Sequence, residues 1–194
     1  MASPQSRRRA DDGKFYTRAE FLEWFGSLHH WEVARESHAW ELPVRPSSST
    51  PLLYCDLDGV LSDFEAGVQR KFRRPVQRVP RHVLWPQLQR HAGFYARLPV
   101  MPDGAELWEA LSPLGPVILS GVPEDWGDAA GEDKRKWVAR YLSPSVNVVT
   151  CLKKAKSLAC RSGDILIDDN ANARRDWERA GGVFVHHTSA AETV

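Results

Sequence analysis

What most limits the folds open to this chain is an alternation that starts after residue 50, where short apolar runs are separated by longer stretches with helical spacing. Leu52 to Cys55, Val117 to Leu119, Val146 to Val149, Ile165 to Ile167 and Val183 to Val185 read as strands. Between them, Ala105 to Leu111, Asp133 to Leu142 and Ala173 to Ala180 read as helices, with Gly181-Gly182 as a C-cap before the last strand. Runs with no polar alternation suit a sheet covered on both faces. The pattern therefore predicts an α/β fold, a Rossmann-like parallel sheet with helices on both faces. A length of 194 residues with 42% apolar and 26% charged side chains fits one main domain.

The first fifty residues follow other rules. Thr17-Arg18-Ala19-Glu20 has the form of a capping box, with Tyr16 set to pack on Phe21, so a helix is predicted over residues 17 to 26. Phe21, Leu22, Trp24, Phe25 and Leu28, followed by Trp31 and Trp40, make this an aromatic helical arm. It reads as an amphipathic helix laid on the main domain, with a contact for a protein partner or a second copy as the other reading. Met1 to Asp12, which carries Arg7, Arg8 and Arg9, reads as a disordered tail, and Pro43 to Thr50 as a linker. The expected division is 1–50 for tail, arm and linker and 51–194 for the main domain. No apolar run reaches 18 positions, and the amino-terminal residues lack the apolar stretch of a signal peptide. Cys55, Cys151 and Cys160 have neither metal-ligand spacing nor an even count. The expectation is a soluble, intracellular protein, cytoplasmic with an organelle left open, and with no membrane partner.

Chemistry concentrates at strand ends. The run Leu52-Leu53-Tyr54-Cys55 is followed by Asp56-Leu57-Asp58-Gly59, so two carboxylates and a glycine turn lie beyond the carboxyl end of a buried strand, where parallel sheets place ligands. Solvation of a loop accounts for one such acid but poorly for a pair. A second strand ends in Asp168-Asp169-Asn170, where either Asp169 or Asn170 is also placed to cap the next helix. A third, Val117-Ile118-Leu119, ends in Ser120-Gly121. Charge is uneven as well: from Ala66 to Pro102 there is no acid, against Arg70, Lys71, Arg73, Arg74, Arg78, Arg81, Arg90 and Arg97.

Asp56-Leu57-Asp58-Gly59-Val60 resembles the first motif of the haloacid dehalogenase (HAD) superfamily, and its continuation through Asp63-Phe64-Glu65-Ala66-Gly67 resembles the deoxy-type 5′-nucleotidases. The resemblance implies Asp56 as nucleophile and Mg²⁺ ligand, and Asp58 as general acid and base that gives its backbone carbonyl to the metal. Asp168 and Asp169 match the fourth motif and complete the implied metal site, with the direct ligand of the two left open. Ser120 and Gly121 match the second motif, which implies a hydroxyl hydrogen-bonded to a phosphate oxygen. The third motif implies a lysine, for which Lys153, Lys154 and Lys156 compete. Alignment forward from Thr150 favours Lys153, also a candidate substrate contact, and alignment backward from Asp164 favours Lys156, which is the preferred reading. Phe64 matches the position that contacts a base, and Trp85, Phe94 and Tyr95 are either its aromatic neighbours or core. Only 28 residues separate Phe64 from Gly93, a cap insertion at about 66–100 that is shorter than the family's usual one.

The resulting expectation is a Mg²⁺-dependent phosphomonoester hydrolase working through an aspartyl-phosphate, with a nucleotide or a nucleic-acid end as substrate. Two alternatives are a phosphatase of another small phosphorylated metabolite and a catalytically idle scaffold that binds partners. Four clustered acids that repel one another without a cation argue against idleness.

Overall fold

The computed structural model describes residues 7–9, 15–25, 50–123 and 129–194. The chain divides into two compact units, Met1–Glu41 and Leu42–Val194. In the first, strand β1 (Arg7–Arg9) pairs antiparallel with β2 (Phe15–Thr17), which leads into helix α1 (Arg18–Phe25). This corrects the tail reading for Arg7 to Arg9: the aromatic and β-branched run Phe15-Tyr16-Thr17 has high strand propensity and supplies a backbone edge on which they pair. The capping box forms, with Thr17 N donating to Glu20 Oε2 at 2.6 Å and Glu20 N to Thr17 Oγ1 at 3.3 Å. The readings of the Phe21, Trp24 and Phe25 side chains, of Leu28, Trp31 and Trp40, and of the linker up to Ser49 fall outside the described residues.

The second unit is built on a five-stranded sheet of β3 (Leu53–Cys55), β4 (Val117–Val122), β5 (Val148–Leu152), β6 (Ile165–Asp168) and β7 (Val183–His186). All neighbours are parallel and the spatial order is β5-β4-β3-β6-β7. The chain thus runs outward from β3 to β5, then crosses back to β6 on the other side of β3. That reversal places the end of β3 at the topological switch point, where a crevice opens beyond the strand ends.

Side-chain alternation divides the interior. Cys55, paired in register with Ile118 and Ile167, points into a core shared with Leu107 of α4 (Gly104–Leu111) and Trp137 of α5 (Ala129–Tyr141). Tyr54, in register with Leu166 and through it Phe184, meets Trp177 of α6 (Arg174–Arg179), ring centroids 5.5 Å apart and edge-on. Strand β4 continues past the predicted Leu119 to Val122 because Ser120, Gly121 and Val122 find partners in Thr150, Cys151 and Leu152 of β5. Before β4 the chain inserts a small cap: α2 (Phe64–Phe72), a short 3₁₀ turn at Val76–Arg78 and α3 (Arg81–Gln89). Among the described residues no helix is long and apolar enough to cross a membrane.

Asp164 is a brace of this fold. Fully buried, it accepts Leu52 N at 2.8 Å on one carboxylate oxygen and Arg161 N at 2.9 Å on the other, tying the start of β3 to the start of β6. Each charge-assisted bond is worth about 1.5–3 kcal/mol. Asp164→Ala is therefore expected to lower unfolding stability by about 3 kcal/mol or more in a urea titration. A loss under about 1 kcal/mol would mean that the two amides find other acceptors.

Candidate active site

Asp56 is the first residue beyond β3. Its amide donates to Ile167 O at 2.9 Å, continuing the ladder, and its side chain turns back so that Oδ1 accepts Leu57 N at 2.7 Å. Oδ2 lies 2.8 Å from Lys156 Nζ, which also donates to Asp168 Oδ2 at 2.7 Å. All three are buried. Burial alone would raise the Asp56 carboxyl, but the Lys156 and Lys134 ammonium groups and the bonds from Lys156 and Leu57 outweigh it and hold the pKa below the usual value. Burial works against charge on Lys156 too, and the Asp56 and Asp168 carboxylates reverse it and keep the amine protonated. The nucleophile candidate is thus an anion at neutral pH.

A second ionic unit stands beside the first. Lys134, on α5, has no exposed surface; it donates to Asp58 Oδ2 at 2.5 Å and to Ser120 Oγ at 2.8 Å, with the Tyr95 ring centroid 4.7 Å away. Asp58 Oδ1 accepts from Ser62 Oγ at 2.8 Å, which fixes the carboxylate within the turn. Because Ser120 accepts from Lys134, its own proton is left to donate, and it has no acceptor among the described residues. Lys134 was not picked out from the sequence. The signal was there: it shares a helical face with buried Ala130, Trp137 and Val138, a position where an unpaired lysine is not tolerated.

The third acid, Asp169, differs from Asp168. Asp168 spends both carboxylate oxygens inside the protein, Oδ2 on Lys156 and Oδ1 on the amide of Asn170 at 2.8 Å. Asp169 has no side-chain hydrogen-bond partner among the described residues and is exposed. Partial burial and the charges of Asp56 and Asp168 raise its pKa to about 6. Glycine is required opposite it: Gly59 has φ +85, and a Cβ there would lie 2.5 Å from Asp169 Oδ2. Neither acid caps the following helix, and Asn170 sits at the N-cap without a side-chain capping bond.

Carboxylate oxygens of Asp56, Asp168 and Asp169 lie within 4.8 Å of one another. With Asp58 beside them they make a cluster of four acids, in which Lys156 pairs with Asp56 and Asp168, Lys134 pairs with Asp58, and Asp169 has no salt-bridge partner among the described residues. An all-oxygen donor set of three carboxylates fits a hard divalent cation such as Mg²⁺ and not a thiolate- or imidazole-seeking metal.

The crevice is a cavity of about 1040 Å³ lined by Asp56, Asp58, Phe64, Ser120, Gly121, Lys153, Lys156 and Asp169 together with Arg81, Trp85 and Tyr95 from the cap. Of the three competing lysines, Lys156 is turned inward by the 3₁₀ segment Lys153–Ala159, between buried Ala155 and Ala159, while Lys153 and Lys154 are exposed on the cavity wall. Phe64 stacks on Trp85 at 6.1 Å and on Tyr95 at 6.1 Å, and meets Phe94 edge-on at 5.8 Å. These aromatics are both core and cavity wall, Phe94 and Tyr95 buried and Phe64 and Trp85 partly so.

No family model matches the chain. The cytosolic-type 5′(3′)-deoxyribonucleotidase of Homo sapiens is 33% identical over 153 residues, covering 63% of this chain and 72% of that protein. A protein of Vibrio phage KVP40, provisionally named a 5′(3′)-deoxyribonucleotidase, is 29% identical over 126 residues, covering 61% of this chain and 66% of its own. Among solved structures, a HAD-superfamily hydrolase from Ehrlichia chaffeensis superposes with a TM-score of 0.42 at 11% identity, over 73% of this chain and 90% of that one.

Proposed function

As the chain belongs to the 5′(3′)-deoxyribonucleotidase family of the HAD superfamily, we propose that it hydrolyses phosphate monoesters of nucleotide type in a Mg²⁺-dependent reaction with Asp56 as nucleophile. The observation that carries this reading is the Asp56 carboxylate, ionised by Lys156 at the end of β3 and open to a cavity where Asp58 and Ser120 stand together on Lys134.

A phosphomonoester entering the cavity meets Ser120, whose free O–H donates to a phosphate oxygen. A carboxylate oxygen of Asp56 forms a bond to phosphorus as the bond to the leaving oxygen breaks, and the proton carried in by a monoanionic ester passes through Asp58 to that oxygen. Water then attacks the phosphorus of the aspartyl-phosphate, returns a proton to Asp58 and releases phosphate and the Asp56 carboxylate. Lys156 balances charge on Asp56 throughout, and Lys134 holds both Asp58 and Ser120 in place. Asp56, Asp169 and the Asp58 carbonyl would hold Mg²⁺, with Asp168 supporting from behind through Lys156; the cation would supply charge neutralisation for the incoming phosphate. The relative's cytosolic designation supports an intracellular setting.

The test is leaving-group dependence. The wild-type enzyme should hydrolyse both deoxynucleoside monophosphates and p-nitrophenyl phosphate. Asp58→Asn should lose on the order of 10²–10⁴-fold in kcat on the nucleotide, whose alkoxide needs a proton, and less than about tenfold on the nitrophenyl ester. Equal losses on both substrates would remove Asp58 from the acid role.

A further inference from the structure

We propose that the arginine-rich cap segment from Arg73 to Arg81 binds the phosphodiester backbone of a single-stranded nucleic acid whose terminal phosphate monoester enters the active site. This rests on the phosphatase reading above and names the class of substrate.

Four cations of the cap stand without counter-charges. Arg73, Arg74, Arg78 and Arg81 are all exposed, and among the described residues none lies within ion-pair distance of a carboxylate. On α5 and α6, by contrast, Arg135 pairs with Glu132 and Arg174 with Glu178. Glu65, in the first turn of α2, accepts from Gln77 and not from an arginine. Like charges kept together without counter-charges raise the local potential and attract a polyanion.

The backbone adds a separate reason. Arg73 ends α2 with φ 57, the one non-glycine residue with positive φ among those described. Glycine or asparagine relaxes that position, so an arginine there keeps a side chain at the expense of backbone strain.

Continuity with the site selects the ligand. Arg81 lines the cavity that holds Asp56, and Lys153 and Lys154 line it from the core. A mononucleotide has no second phosphate to reach Arg73, Arg74 or Arg78, whereas a strand ending at Asp56 carries phosphates outward. Trp85, partly buried on α3, lines the cavity together with Arg81 and gives the terminal base of a single strand an aromatic wall to lie against. An acidic protein segment or an anionic membrane satisfies the arginines but brings no phosphate monoester to Asp56.

Binding is measured with the full-length Asp56→Asn protein in Mg²⁺ and a fluorescent oligothymidylate bearing a terminal phosphate. Four phosphate contacts predict a slope of log K against log salt of about −2.8, so affinity falls about 50-fold between about 50 and 200 mM salt. Arg73→Glu/Arg74→Glu should flatten the slope by about 1.4 or more, and Arg74→Ala/Arg78→Ala should flatten it similarly with no reversed charge. In the wild-type background the same variants should keep p-nitrophenyl phosphate turnover within about twofold while kcat/KM on the oligonucleotide drops. An oligonucleotide bound no more tightly than thymidine monophosphate, an unchanged slope in both variants, or tighter binding to polyglutamate or phosphatidylserine vesicles would overturn the proposal. Strand binding by a wild-type protein that hydrolyses no phosphomonoester would overturn the phosphatase reading, and with it the claim that the bound strand is substrate.

Discussion

Asp56→Asn should lower turnover of every phosphomonoester by on the order of 10⁴- to 10⁶-fold, the scale on which removal of a nucleophile or its immediate partner acts. The amide keeps the size of the carboxylate, but its oxygen cannot form a stable acyl-phosphate by displacing the leaving group. The fold should survive. The substituted side chain can still accept the Leu57 amide through its carbonyl oxygen, and Lys156 remains paired with Asp168, so no buried cation is stranded. Thermal unfolding within a few degrees of wild type, with turnover gone, separates loss of chemistry from loss of structure. A variant retaining more than about a hundredth of wild-type activity would show that the nucleophile lies elsewhere.

Removal of divalent cations should have an effect of similar size. Where Asp56, Asp168 and Asp169 converge, their carboxylates repel a phosphate dianion until a cation joins them. Chelation should abolish turnover and Mg²⁺ should restore it. Mg²⁺ should also raise the melting temperature of wild type, since it binds the folded state alone, and Asp169→Asn should lose that shift. The sign of the pH effect follows from Asp169: its carboxyl is raised to about 6 in the metal-free fold, so this acid stabilises the fold below its unfolded value and that contribution is lost as pH rises through about 6. Mg²⁺ relieves the repulsion, so its stabilising shift should be largest above pH 6 and shrink as the proton competes below it. Full activity in chelator would dissociate the acid cluster from the reaction.

The parts of this site that lie at strand ends were legible in the sequence. Asp56, Asp58, Ser120, Asp168 and Asp169 each follow a short apolar run, and a parallel sheet with its switch point at β3 converges those ends on one crevice. Two kinds of information were not legible. The first was depth: in the polar run Glu132-Asp133-Lys134-Arg135-Lys136, nothing local distinguishes buried Lys134 from its solvated neighbours except its phase relative to Trp137. The second was register in irregular backbone. Lys153, Lys154 and Lys156 are chemically alike, and only the 3₁₀ winding of that segment turns Lys156 onto Asp56. The pairing of Arg7 to Arg9 with β2 was missed because an arginine run has no strand signal of its own and pairs through its backbone.

The central claim is a covalent phosphoryl intermediate on Asp56. It is tested most directly by quenching the enzyme during turnover with borohydride and sequencing the peptide that contains residue 56 by mass spectrometry. An aspartyl-phosphate is reduced to homoserine whereas a free carboxylate is not, so the account predicts homoserine at position 56, dependent on both substrate and Mg²⁺. Unmodified Asp56 under conditions of rapid turnover, or homoserine in place of Asp58, Asp168 or Asp169 instead, would contradict it.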